Sequence, residues 1–285
     1  MRILIAGGTG MLGSALAPYL RQVGYEVLVH GSSTHGDVQC DLTNRESVFA
    51  LLKSTKPDCV VNLVALTNVD QCEQEPHAAY MLNVRTVENL AAALQEGDSA
   101  HLVHISTDQV YDSPGPHREE DVYLKNIYAL TKYAGEIAAS LVGATILRTN
   151  FFGPSSLDGR VSFSDWLLRS LKDGTFFTAF TDVIFSPLSM KTLGEMIATT
   201  ISQPTAGVFN LGSSTALSKA DFAIEIANLF KFDASNMQYG EVDARGLRAY
   251  RPKDMSMDCS RFEQTYHVKL PSLQREIYTL KKDIK

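Results

Sequence analysis

Arg2-Ile3-Leu4-Ile5-Ala6-Gly7-Gly8-Thr9-Gly10-Met11-Leu12-Gly13 runs from an apolar stretch straight into glycines and then into residues with helical spacing. A strand, a tight turn and a helix in that order bring backbone N–H groups and a helix N-terminus onto a phosphate, provided no Cβ stands in the way. The spacing fits two templates, because Gly8, Gly10 and Gly13 give G-x-G-x-x-G while Gly7, Gly10 and Gly13 give G-x-x-G-x-x-G. Spacing alone does not choose between them. Its place in a strand-turn-helix unit points to a bound dinucleotide.

Working outward, short apolar runs alternate with amphipathic stretches. Arg2 to Ala6, Glu26 to Val29, Cys59 to Leu63, His101 to Ile105 and Thr145 to Leu147 read as buried strands. Met11 to Gln22, Arg45 to Ser54, His77 to Gln95 and Ile127 to Ser140 carry apolar residues three and four apart and read as helices. Strict alternation implies parallel strands with right-handed crossovers, an α/β fold with a doubly wound, Rossmann-like parallel sheet. After about Gly153 the pattern loosens into the helices Ser162 to Leu171, Met190 to Ile201 and Lys219 to Phe230, with short strands at Phe176 to Phe180 and Val208 to Leu211. The expected division is a dinucleotide-binding domain over 1–150 and a smaller C-terminal α/β substrate lobe over 151–285. Segments around 182–203 are expected to return to the first domain.

Bulk chemistry narrows the classes. A net charge of -6 with no Lys/Arg cluster speaks against a nucleic-acid surface. No stretch approaches the roughly 18 apolar residues of a membrane span, and the N-terminal residues meet glycines instead of a signal-peptide core. Cys40, Cys59, Cys72 and Cys259 form no close pair, as expected for reduced thiols in a cytoplasmic protein. The seven histidines follow no ligand spacing, so no protein metal centre is expected. The sequence does not fix oligomeric state, and a homodimer is compatible with it.

Further cofactor contacts are expected at the carboxyl ends of later strands. Asp41-Leu42 is placed to meet the adenine end, although Asp41 serves equally well at the start of the helix that follows. The run Asn62 to Thr67 ends the third apolar strand where a nicotinamide ribose would lie. The second strand finishes in Val29-His30-Gly31-Ser32-Ser33 with no acid, so a 2′-phosphate would meet no repulsion and could take hydrogen bonds from Ser32 and Ser33. NADPH is the expected cofactor, with NADH as the alternative. Tyr128 and Lys132 lie four apart and share a helix face. A nearby ammonium stabilises phenolate and brings a tyrosine toward proton exchange at neutral pH. Ser106-Thr107 at the end of the fourth strand offers a hydroxyl to hold a carbonyl oxygen while Tyr128 donates. Arg160 or Arg251 could pair with the phosphates of a nucleoside diphosphate, and Trp166 with Phe163 has the spacing of a core pair.

The glycine loop, Ser106-Thr107-Asp108 and Tyr128/Lys132 together resemble the extended short-chain dehydrogenase/reductase superfamily, and within it the dTDP-4-dehydrorhamnose reductases. The likeness extends through Val69-Asp70-Gln71-Cys72-Glu73, Asp108-Gln109-Val110-Tyr111, Ala134-Gly135-Glu136, Leu147-Arg148-Thr149, Asp182, Ser186-Pro187 and Arg251-Pro252. It implies a catalytic Thr107, Tyr128 and Lys132, with Tyr128 and Lys132 also at the nicotinamide ribose. It puts Gly7, Gly10, Met11 and Leu12 at the pyrophosphate, Asp41 and Leu42 at the adenine side, and Ala65 and Thr67 along the middle of the cofactor. Asp108, Gln109 and Arg251 fall on the side of a nucleotide-sugar substrate, and the implied activity is NAD(P)H-dependent reduction of a 4-keto group in polysaccharide biosynthesis. Gln109, Ala129 and Asn150-Phe151-Phe152 depart from that family's usual residues. Sugar-nucleotide 4,6-dehydratases carry a Glu at the position of Gln109, and an amide cannot act as their base. A sugar-nucleotide epimerase and a non-catalytic, nucleotide-binding regulatory subunit are the alternatives.

Overall fold

A computed structural model describes residues 1–32, 35–97 and 100–283. Ser33 lies outside the described residues. The chain divides into two compact units, the first formed by 1–107, 126–148 and 194–209, the second by 108–125, 149–193 and 210–285.

The first unit is built on a sheet whose strands are β1 (Arg2–Ala6), β2 (Glu26–Gly31), β3 (Val38–Gln39), β4 (Cys59–Asn62), β5 (His101–Thr107) and β6 (Thr145–Thr149). Gly207–Leu211 adds a seventh strand, giving the order Gly207–Leu211, β6, β5, β4, β1, β2, β3. That segment reads as part of the C-terminal lobe in sequence, but it hydrogen-bonds to the sheet edge beside β6. β1 is parallel to both β2 and β4, with Ile3 opposite Val27 on one side and Cys59 on the other. Ile3, Leu4, Ile5 and Ala6 are wholly buried, as a parallel strand covered on both faces requires. Each large aliphatic side chain so buried contributes about 1.5–3 kcal/mol.

Strand order reverses between β1 and β4, and the crevice at their carboxyl ends is where such sheets bind ligands. The two ends approach closely: a Cβ on Gly7 would stand 2.9 Å from Val64 Cγ2, and Gly7 has φ +74°. Gly10 is the N-cap of the helix Met11–Gln22. A Cβ on Gly13 would fall 2.3 Å from the Gly8 carbonyl oxygen, which packs the helix onto the turn. The turn, the cap and the packing contact fall on Gly7, Gly10 and Gly13, and Gly8 is packed as closely, a Cβ there standing 2.9 Å from Val29 Cγ1, so both spacings describe the loop.

The single helix expected over His77 to Gln95 is Pro76–Tyr80, a π-helical turn at Met81–Arg85, and Thr86–Glu96. Within the wider turn, buried Asn83 accepts from Leu66 N (2.7 Å) and donates to Thr131 Oγ1 (3.0 Å). The helix Ile127–Ser140 starts on Asn126, whose side chain accepts from Ala129 N (2.7 Å). It passes close to the π turn because Gly135 has no side chain; a Cβ there would meet the Asn83 carbonyl at 2.5 Å.

The second unit gathers Phe152, Leu167, Phe185, Phe222, Ile226 and Leu273 into its own core. Phe177–Phe180 pairs in parallel with Met237–Gly240. The helix Leu273–Asp283 brings in a buried Glu276, which accepts from Ser189 N (2.6 Å) and Thr192 Oγ1 (3.0 Å).

Replacing Gly13 with Ala forces a methyl into the Gly8 carbonyl and should cost roughly 1–3 kcal/mol of stability. Gly10→Ala, whose nearest contact is 3.2 Å, should cost less. Urea unfolding of the two variants checks the ranking, and equal midpoints would refute the packing role of Gly13.

Candidate active site

The glycine loop is braced from behind by His30 on β2. Gly7 N–H donates to His30 Nδ1 (3.2 Å), so Nε2 carries the proton and donates to the Cys40 carbonyl (2.8 Å). Burial holds the imidazole below its usual range, against the pull of the Cys40 carbonyl, which keeps it neutral. The helix Met11–Gln22 has no acidic residue in its first turn and no side chain capping it. Its leading N–H groups, behind a loop in which Thr9 alone among residues 7–10 carries a Cβ, are of the kind suited to an anion. Leu12 is buried and Met11 half-buried, which leaves their backbone amides as the groups suited to a pyrophosphate.

Ser32, just past β2, is exposed. Asp37, the nearest described acid, is occupied, accepting from Val29 N and Arg21 Nη2, both at 2.9 Å. Asp41 folds into a turn of its own, accepting from Thr43 N (2.9 Å) and Thr43 Oγ1 (2.7 Å), and Asn44 caps the next helix. The Leu42 side chain lies in the core. Ala65 is half-buried and Thr67 exposed, on a segment pinned by Asn62, which accepts from Val64 N (3.1 Å), and by Asn83.

Thr107 ends β5 and, like Tyr128 and Lys132, is almost fully buried. Tyr128 and Lys132 extend from the same face of Ile127–Ser140, and the Lys132 ammonium donates to the Ile105 carbonyl two residues before Thr107 (2.7 Å). Burial pushes Lys132 down to about 8, while Glu136 opposes the fall. Glu136 is itself buried, bound by Arg148 through Nε at 2.9 Å and Nη2 at 2.6 Å, and by the Ser106 hydroxyl. The structure therefore places Ser106 and Thr107 in different roles: Ser106 anchors Glu136, and Thr107 stands at the strand's end. Glu136, Arg148 and Asn83 were not singled out as site residues from sequence. Their signal was a charged or amide side chain inside an otherwise apolar helix or strand.

In the second unit, Asp108 is buried and accepts from Asn150 Nδ2 (2.7 Å). Gln109, Asn150, Thr178, Lys219 and Arg251 contribute the polar part of a cavity of about 240 Å³ whose apolar wall includes Phe163, Trp166, Phe177 and Val183. Trp166 is 42% exposed and stacks on Phe163 at 6.0 Å between centroids, so the expected core pair is a cavity wall. Arg160 is exposed and does not line this cavity. Among the described residues no cluster of His, Cys, Asp or Glu could hold a metal ion, and no helix is long and apolar enough to cross a membrane.

Comparison with known proteins gives the family and the fold. The family model described as RmlD substrate binding domain matches residues 1–285. The chain belongs to that family. The spore coat polysaccharide biosynthesis protein SpsK of Bacillus subtilis is 32% identical over 79% of this chain and 78% of its own. A dTDP-4-dehydrorhamnose reductase of Escherichia coli is 29% identical over 96% of this chain and 95% of its own. The solved dTDP-4-dehydrorhamnose reductase of Bacillus anthracis, in complex with NADP, superposes with a TM-score of 0.89 at 25% identity, covering 99% of this chain and 98% of that one.

Removing one member of a buried ion pair strands the other charge. Glu136→Gln should therefore lower stability by roughly 3 to 5 kcal/mol, read by urea unfolding at neutral pH. A loss below about 1 kcal/mol would mean that Arg148 finds adequate partners elsewhere.

Proposed function

We propose that this chain is an NADPH-dependent reductase of the 4-keto group of a nucleotide-linked 6-deoxy sugar, with Tyr128 as proton donor. The observation that carries the reading is the buried Lys132 ammonium, tied to β5 at Ile105 and rising from the same helix face as Tyr128. The first unit holds the dinucleotide, with Gly7, Gly10, Met11 and Leu12 at the pyrophosphate, Asp41 and Leu42 toward the adenine, Ser32 toward a 2′-phosphate, and Ala65 and Thr67 along its middle. The second unit holds the sugar nucleotide, with Asp108, Gln109 and Arg251 on that side. The cofactor, when bound, supplies a hydride to the carbonyl carbon. Thr107 positions the carbonyl oxygen by a hydrogen bond, and Tyr128 gives it a proton. Lys132 stabilises the phenolate left behind and holds the ribose. Supporting the substrate class are the names of the relatives, one a dTDP-4-dehydrorhamnose reductase and one a polysaccharide biosynthesis protein. Gln109 speaks against dehydration, since its amide cannot act as a base. The free, buried Cys59, Cys72 and Cys259 suit a reducing, cytoplasmic setting.

Purified protein should oxidise one NADPH for each dTDP-4-keto-6-deoxy sugar consumed. Turnover with no net change in cofactor would indicate an epimerase instead, and binding of NADPH without any turnover would indicate a regulatory role. Tyr128→Phe should lower kcat by about 100-fold or more with little change in NADPH affinity; an undiminished rate would remove Tyr128 from the mechanism.

The pH profile follows from Lys132. Its ammonium is present below about 8 and is lost as pH rises, so kcat/KM should fall with increasing pH through that region. Lys132→Arg, which keeps its charge, should have a lower plateau and no such alkaline limb. The same limb in this variant would assign it to another group.

A further inference from the structure

The cavity of the second unit is lined by two cations, Lys219 and Arg251, and among its described lining residues there is no carboxylate, although the chain as a whole carries a net charge of -6. Lys219 is placed where folding alone would not put a lysine. It is the first residue of the helix Lys219–Phe230, where the helix dipole opposes a positive charge. Ser218 and Asp221 already complete that helix end: the Ser218 hydroxyl accepts from Asp221 N (3.0 Å) and donates to Asp221 Oδ2 (2.7 Å). The ammonium instead sits over aromatic faces, 3.3 Å from the Phe185 ring centroid and 4.2 Å from that of Phe163. Ring faces orient a cation without supplying a full counter-charge. A charge held in this way in a cavity wall, against the local preference of its helix, is a functional-site signal.

We propose that Lys219 is the anion-recognising residue of this cavity, pairing through its ammonium with a phosphate of the nucleoside diphosphate that carries the sugar. The inference rests on the sugar-nucleotide reading above and names the residue that would grip the nucleotide's charge. Phe163 and Phe185 fix the ammonium in the cavity wall, so little side-chain freedom is lost on binding. Burial pushes Lys219 down to about 7, and the charge of Asp108 opposes this. A phosphate would add to the pull of Asp108 and hold the proton on the ammonium. Gln109 and Asn150 line the same cavity and can offer hydrogen bonds to the ligand's neutral oxygens.

The test is calorimetric titration of the full chain with dTDP, thymidine and NADPH separately, for the unsubstituted protein, Lys219→Met and Lys219→Arg. Lys219→Met keeps an unbranched side chain against the two rings. It should weaken dTDP binding at least tenfold, while thymidine and NADPH affinities stay within twofold; Lys219→Arg should recover part of the loss. Unchanged dTDP affinity in Lys219→Met would overturn the proposal. So would equal losses for dTDP and thymidine, or an unsubstituted protein that binds dTDP no better than thymidine. Retained NADPH affinity shows that the variants are folded. These titrations need no turnover. A chain that binds dTDP through Lys219 yet oxidises no NADPH fails only the reductase reading, and one that turns over with dTDP affinity indifferent to Lys219 fails only this inference.

Discussion

A lysine ammonium under nearly complete burial is expensive, and the interior of the first unit is arranged around keeping Lys132 charged. The Ile105 carbonyl accepts one of its hydrogens, and Glu136 one helical turn along supplies the negative charge. Glu136 in turn needs its own partners at that depth, which are Arg148 on β6 and Ser106 on β5. Both burial and Lys132 hold His104 well below its usual range, so this neighbour adds no competing charge. Asn62 donates to His104 Nδ1 (3.2 Å) while its carbonyl oxygen accepts from Val64 N (3.1 Å), which links the charged cluster to the segment after β4. Geometry at the carboxyl edge of the sheet is thus the visible end of a polar network running through β4, β5, β6 and the helix Ile127–Ser140.

That network explains which parts of the fold are legible in sequence. β1 and the helices Met11–Gln22, Ile127–Ser140 and Lys219–Phe230 coincide with the expected spans because periodicity and their flanking residues agree. β5 runs through Thr107, two residues beyond the expected end, because polar Ser106 and Thr107 interrupt the apolar run by which a buried strand is recognised. The break in His77 to Gln95 was hidden for a related reason, since Asn83 leaves the apolar periodicity intact while its amide reaches into other segments. The helix Leu273–Asp283 carries Leu273, Ile277 and Leu280 at helical spacing and could have been read. The strand Gly207–Leu211 shows the usual apolar run, but its place beside β6 depends on a long-range pairing that local pattern does not encode.

The candidate site divides along the same line. Positions set by backbone shape, such as Gly7 and Gly10, are legible because few sequences satisfy a positive φ and an open helix end together. Residues that act through a partner far along the chain are not. Asp108 and Asn150 are 42 positions apart and become a pair only in the folded second unit. The bracing of the glycine loop by His30 likewise crosses 23 positions.

Lys132 and Lys219 show two ways of burying the same charge, and the difference bears on what each can do. Around Lys132 a carbonyl and a carboxylate from the fold answer the ammonium, so its field is a fixed property of the first unit, suited to tuning a neighbouring phenol. Around Lys219 the ammonium lies over the faces of Phe163 and Phe185, with Asp108 as the compensating charge. Ring quadrupoles attract a cation without neutralising it, so that ammonium keeps most of its capacity to pair with an incoming anion. On the roles proposed above, a charge answered within the fold suits a background field, whereas one held largely by aromatic faces in a cavity wall suits recognition.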